Sequence, residues 1–137
     1  MFSVLFGPAP PHTPLSRYTT WNGVLYMLIG AVFYAAPNLL HVLNGNTFRP
    51  GEEGLTRTLG APLAVIGYLY IMGARTRSDM FGLATVLDRL VIPFLLVPLV
   101  LLGKVEPGLG LPFSILDPIL GTGAYVIWRR QKVAEAR

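Results

Sequence analysis

The sequence predicts an all-α integral membrane protein with a transmembrane bundle of about four helices, and three observations predict it. The chain of 137 residues is 53% apolar and only 13% charged, whereas about a quarter of the residues in soluble domains are charged. Its mean hydropathy is +0.55. Four long stretches are almost free of charge, and each approaches the roughly 20 residues that a helix needs to cross a bilayer.

The predicted spans differ in length and in charge. The first is the longest stretch without any charge, and the second, between Arg57 and Arg75, is the shortest span. The third is interrupted by the adjacent pair Asp88 and Arg89. Charged residues are expensive in hydrocarbon, so the borders of the spans follow the charges. We therefore expect spans at residues 21–43, 58–74, 80–103 and 111–128.

The fourth stretch has two interpretations. It contains a single charge, Asp117, which is followed by Pro118. Aspartate before proline is typical of a helix N-cap with proline at the first helical position. Alternatively, the helix starts earlier and passes through Pro118 with a kink, as we also expect at Pro37 and Pro93. The sequence leaves both interpretations open.

Positive charge predicts the orientation of the spans. Seven Lys and Arg residues lie in the N-terminal segment, the second loop and the C-terminal tail, and three lie in the first and third loops. Because positive residues stay on the cytoplasmic side, both termini should be cytoplasmic. We expect a proline-containing lead (1–20), a membrane domain (21–130) and a basic tail (131–137) in a multi-pass protein of a bacterial cytoplasmic membrane.

Several chemistries lack support in the sequence. The chain has no cysteine, which excludes disulfides, thiolate metal sites and cysteine nucleophiles. Motifs for phosphate loops, zinc helices, nucleophile elbows and nucleic-acid binding are absent. We predict no metal site and no nucleic-acid partner. The sequence names no cofactor and does not decide whether the protein is an enzyme.

Ionisable residues at depth mark the candidate site. Asp88 lies about 12 Å inside the third span, at about 1.5 Å per residue. A charge at this depth costs about 2.5 to 3.5 kcal/mol, so we expect these groups to face the bundle interior and Arg89 to pair with Asp117. Asp88 either pairs with Arg57, is neutral and protonated, or makes a water-bridged contact. Asp88 is the candidate catalytic acid or base. The alternative is an ion-pair cluster that only fixes helix register.

Two further features lie on or near the outer side of the spans. Asn38 and His41 share a helix face near the end of the first span. His41 is a candidate metal ligand or haem axial ligand. A hydrogen-bonding role at the membrane interface is favoured, because a second ligand at a suitable spacing is lacking. Gly60 and Ala64 have the small-xxx-small spacing of close helix contacts, either within the chain or with a partner.

Three functions remain as hypotheses. The leading one is a polar midplane site that binds or transforms a lipophilic small molecule, since carboxylates and arginine converge there. The second is a non-catalytic accessory or assembly subunit, as a homo-oligomer or in a larger membrane complex, that uses small-residue helix faces. The third is a small proton-coupled transporter. The bilayer itself is the partner that all three require.

Overall fold

The computed structural model describes residue 7, residues 11–39 and residues 51–137. Regular secondary structure in these residues is helical, and its long helices are α1 (Pro14–Ala35), α2 (Glu52–Arg75), α3 (Asp79–Leu101) and α4 (Pro107–Glu135). Helices α2, α3 and α4 are long and apolar enough to cross a membrane. These observations confirm the all-helical class and are consistent with a multi-pass membrane protein.

Helix α1 is shorter than the first predicted span. It ends at Ala35, before Pro37, and helical backbone resumes at residues 38 and 39, so the expected kink is an interruption of the helix. The ring of a proline disfavours helical backbone at the residue before it, which accounts for the end of the helix here. The last part of that predicted span, residues 40–43, lies outside the described residues. Helix α1 has 22 residues, but it is not among the three helices that are both long and apolar enough to cross a membrane.

Helix α2 is longer than its predicted span at residues 58–74. It begins six residues earlier, with Glu52 and Glu53 in its first turn. Carboxylates at this position stabilise a helix because the N-terminal end of the macrodipole is positive. Gly51, with a φ of +88°, precedes the first turn. The charged start therefore extends α2 beyond its apolar part.

The start of α3 and the course of α4 are both defined, and the course of α4 decides between the two interpretations of the fourth stretch. The N–H of Phe81 donates to Oγ of Ser78, the N-cap of α3, at 3.3 Å. Helix α4 starts with Pro107 at its first position and continues through Pro118. Asp117 therefore lies inside a continuous helix and is not an N-cap.

The chain divides into two compact units, one formed by Met1–Thr19 with Gly73–Arg137 and the other by Thr20–Met72. In the Thr20–Met72 unit, α1 and α2 are antiparallel and touch through glycines. A Cβ atom on Gly60 would lie 2.6 Å from the carbonyl oxygen of Gly30 and 2.6 Å from the backbone nitrogen of Tyr34. Gly67 meets Gly23 in the same way two turns further along. Only glycine allows this approach of the two backbones.

The small-xxx-small pair is used in this contact. Gly30 faces both Gly60 and Ala64 across the α1–α2 interface, so the pair forms a helix contact inside the chain. The rings of Tyr26 and Tyr70 lie beside the same interface, with centroids 5.7 Å apart and planes at 70°. Edge-to-face aromatic contacts of this kind add to the stability of a packed interface.

The other unit has an apolar core made by the start of α1, α3 and α4. Leu15, Val86 and Ala124 are buried together, and Tyr18 packs against them. The hydroxyl of Tyr18 donates to the carbonyl oxygen of Leu120 at 3.2 Å. Helices α3 and α4 are antiparallel neighbours here and bring the central turns of both helices face to face.

Candidate functional site

A buried polar seam lies between α3 and α4. It consists of Thr85 and Arg89 on α3, one turn apart, and of Ser114 and Asp117 on α4, three residues apart. All four side chains are buried; Arg89 is 1% exposed and Asp117 is 4% exposed. Because residues three or four apart share a helix face, the polar groups of each pair lie on one buried face of their helix. We refer to these four residues as the polar seam.

A glycine brings the two sides of the seam together. Gly121 lies one turn beyond Asp117, and a Cβ atom there would be 3.4 Å from Cβ of Arg89 and 3.4 Å from the carbonyl oxygen of Val86. The backbone of α4 therefore approaches Arg89 closely. Because Asp117 and Gly121 occupy the same face of α4, the carboxylate and the guanidinium belong to the same interface.

The two hydroxyl groups of the seam are held by their own helices. Thr85 Oγ1 donates to the carbonyl oxygen of Gly82 at 2.8 Å, and Ser114 Oγ donates to that of Gly110 at 2.8 Å. Such bonds to the preceding turn are common for buried hydroxyls in helices. They use the hydroxyl hydrogens, so neither group donates across the interface to the carboxylate.

The carboxylate of Asp117 has an unused acceptor. Its Oδ1 is buried, and no described residue donates a hydrogen bond to it. A buried polar atom without a partner costs about 1 to 3 kcal/mol, so such an atom in a folded protein calls for an explanation. The pairing of Asp117 with Arg89 stays a prediction, because no contact between their charged atoms is established.

Asp88 does not face the interior, and this corrects the sequence-based expectation. Its side chain is exposed, as is Leu87 beside it, which is 66% exposed. The reason is helical geometry. Adjacent residues point about 100° apart, and Arg89 is the one of the two that lies in the interface with α4. The candidate catalytic residue thus lies on the outer surface of α3 and not in the polar seam.

Arg57 has a structural role at the end of α1. Its guanidinium donates to Oε1 of Glu53 at 3.0 Å and 2.8 Å. It also donates to the carbonyl oxygens of Tyr34 and Ala35. The last carbonyls of a helix have no partner within it, and an arginine is well suited to bind them. The clamp of Arg57 and Glu53 therefore fastens the end of α1 to the first turns of α2.

The remaining candidates do not add to the seam. Asn38 is exposed, and His41 lies outside the described residues. Sequence reasoning missed the side chains of Thr85 and Ser114, although their spacing from Arg89 and Asp117 by about one helical turn was a usable signal. Among residues 11–39 and 51–137, no three His, Asp or Glu side chains are grouped so as to hold a metal ion.

Comparison with known proteins leaves the seam as the main guide to function. No protein-family model, no curated protein and no solved structure matches the chain.

Proposed function

We propose that the chain is a multi-pass membrane protein whose polar seam binds a small lipophilic molecule through a hydroxyl or amine group. The observation that supports this most directly is the buried Oδ1 of Asp117, which accepts no hydrogen bond from a described residue. A carboxylate oxygen only accepts hydrogen bonds when ionised, so its complement is a donor. A molecule that partitions into hydrocarbon reaches this depth from the bilayer.

In this proposal, the carboxylate of Asp117 accepts a hydrogen bond from the hydroxyl or amine group of the ligand, and the guanidinium of Arg89 donates to a neighbouring acceptor of the same ligand. Both side chains are at most 4% exposed, so their electrostatic interactions with a ligand are screened less than at a protein surface. The close approach of Gly121 to Cβ of Arg89 supports this arrangement, because Asp117 lies one turn from Gly121 on the same helix face. A polar pair inside apolar walls is the usual composition of a small-molecule site.

The test compares two conservative variants, Asp117→Asn and Asp88→Asn. Each removes one carboxylate from the central part of a helix, one inside the seam and one on the outer surface of α3. The proteins are purified in a mild detergent, and the lipophilic molecules that remain bound are extracted and quantified by mass spectrometry. We expect a species other than phospholipid in the wild type and in Asp88→Asn, reduced at least tenfold in Asp117→Asn.

Equal amounts in all three proteins, or no bound species above the detergent background, would contradict binding at the seam. Unfolding is excluded as a trivial cause by far-ultraviolet circular dichroism of each variant. Since both substitutions keep the size of the side chain, a loss confined to Asp117→Asn reports on the acceptor itself.

We propose as the second candidate an accessory or assembly subunit, and the position of Asp88 favours it. An exposed carboxylate beside Leu87 and Val91 on a membrane helix is a position where a partner helix gains by supplying a hydrogen-bond donor, because polar groups in hydrocarbon are costly. The glycine contact of α1 with α2 lies within the chain, so the surface of α3 is the face for such a partner.

Asp88→Asn then lowers the mass of the detergent-solubilised assembly, and Asp117→Asn leaves it unchanged. An unchanged mass in Asp88→Asn would refute this candidate.

A further inference from the structure

The last turns of α4 have two faces with different partners. One face is bound to the rest of its unit: Nζ of Lys132 lies 2.7 Å from Oδ2 of Asp79, and the backbone N–H of Leu15 donates to Oε1 of Gln131 at 3.4 Å. The opposite face borders an open, shallow groove of about 580 Å³ that is lined, in the part of the chain that the structure describes, by residues of α4 and its C-terminal end alone. Three arginines and four apolar or aromatic residues line it, namely Arg129, Arg130, Arg137, Tyr125, Val126, Val133 and Ala134.

Among the described residues, the arginines of this groove are not paired with an acidic side chain. Within the described part of the chain, none of the three forms an ion pair or a side-chain hydrogen bond. The nearest carboxylate in sequence, that of Glu135, accepts instead from Lys132 at 2.7 Å and from Gln131 at 3.0 Å on the opposite face. The groove thus concentrates positive charge that the protein itself does not neutralise.

The groove crosses the predicted end of the fourth span. Tyr125 and Val126 are 44% and 41% exposed and belong to the apolar part, which we predict to end at residue 128. Arg129 and Arg130 follow directly. Tyr125 also packs beside Trp128, with ring centroids 5.8 Å apart, and such aromatic pairs are typical of the membrane interface. Along this face of α4, apolar residues are therefore followed by arginines at the predicted depth of the phospholipid headgroups.

From this arrangement we infer that the groove binds the headgroup of an anionic phospholipid. Guanidinium groups bind phosphate oxygens in bidentate geometry, which favours arginine over lysine at such sites. Tyr125 and Val126 contact the upper part of the acyl chains, which a free phosphate ion lacks. The predicted cytoplasmic side of the bilayer is also the side that carries anionic lipid. The site is separate from the polar seam and does not depend on its function.

The experiment uses quenching of Trp128 by brominated lipids. The chain has two tryptophans, so the full chain with Trp21→Phe has Trp128 alone as the reporter. It is reconstituted in phosphatidylcholine vesicles that contain one fifth phosphatidylglycerol, and either lipid is brominated near the glycerol end of its acyl chains. Preferential quenching by brominated phosphatidylglycerol measures its enrichment beside α4.

We compare the Arg129→Gln/Arg130→Gln variant with a control, Arg17→Gln/Arg77→Gln, in the same Trp21→Phe background. The control removes the same charge from the same predicted side of the membrane, away from the groove. An arginine near an anionic surface raises lipid affinity by about fivefold. We expect the preference for phosphatidylglycerol to fall at least fivefold in the groove variant and to stay within twofold of the parent in the control.

Two results would overturn the inference. One is equal quenching by the two brominated lipids in the parent protein, which shows that no anionic lipid is enriched. The other is an equal loss of preference in the groove variant and the control, which assigns the enrichment to the overall charge. A further variant, Arg129→Lys/Arg130→Lys, keeps the charge and is expected to retain only part of the preference, because lysine lacks the bidentate geometry.

Discussion

The glycine contact between α1 and α2 yields the sharpest prediction of stability. In Gly60→Ala the new methyl group lies 2.6 Å from backbone atoms of Gly30 and Tyr34, and backbone cannot rotate away as a side chain does. The two helices have to separate by nearly an ångström. Overpacking of this kind costs about 1 to 3 kcal/mol, whereas alanine in place of glycine stabilises a helix by about 1 kcal/mol. We expect a net loss of up to about 2 kcal/mol, with about 1 kcal/mol at the middle of the range.

Gly54→Ala is the matched control for this change. Gly54 lies on the same helix, and a Cβ atom there has no other atom within 4 Å. Only the helix propensity changes, so we expect stabilisation by about 0.5 to 1 kcal/mol. The two variants should therefore differ by about 2 kcal/mol in the free energy of unfolding, measured by titration with SDS in mixed micelles. Equal stability of the two would refute the close contact of α1 with α2.

Three further predictions test the contacts that hold the helices. Arg57→Gln should lower the stability by about 1 kcal/mol in the same titration, because the last carbonyls of α1 lose charged donors at a half-exposed site; no change would refute the clamp. Tyr18→Phe should cost about 0.5 to 1.5 kcal/mol through the lost hydrogen bond to Leu120, and thermal unfolding in detergent measures it; an unchanged midpoint would contradict that bond. Asp79→Asn should lower the midpoint slightly at low salt and not at high salt, since the pair with Lys132 is exposed; a salt-independent effect would argue against the ion pair.

The apolar pattern of the sequence carried most of the information about the helices. Charge-free stretches predicted α2, α3 and α4, because hydrocarbon requires an apolar surface along a whole helix. The ends of helices were harder to predict, since they depend on single interactions. The first turns of α2 are charged and so looked like a loop, and Pro37 ends a helix that hydropathy alone would continue.

The candidate site was predictable only in part. Depth along the chain identified Asp88, Arg89 and Asp117 as unusual, but it does not tell which of two adjacent residues faces a neighbouring helix. The packing of α3 against α4 around Gly121 decides that Arg89 lies inside and Asp88 outside. Such a choice depends on contacts between residues about 30 positions apart, which no local pattern in the sequence contains.

Labelling of native carboxyl groups tests the central claim most directly, namely that Asp88 faces hydrocarbon while Asp117 is enclosed by protein. The protein in vesicles is treated with a lipid-soluble or a water-soluble carbodiimide, and the modified residues are mapped by peptide mass spectrometry. We predict that the lipid-soluble reagent modifies Asp88 and spares Asp117, and that the water-soluble reagent modifies Glu52 and Glu53 and spares both. Modification of Asp88 by the water-soluble reagent alone would contradict its position in the membrane, and preferential modification of Asp117 by the lipid-soluble reagent would contradict the buried seam.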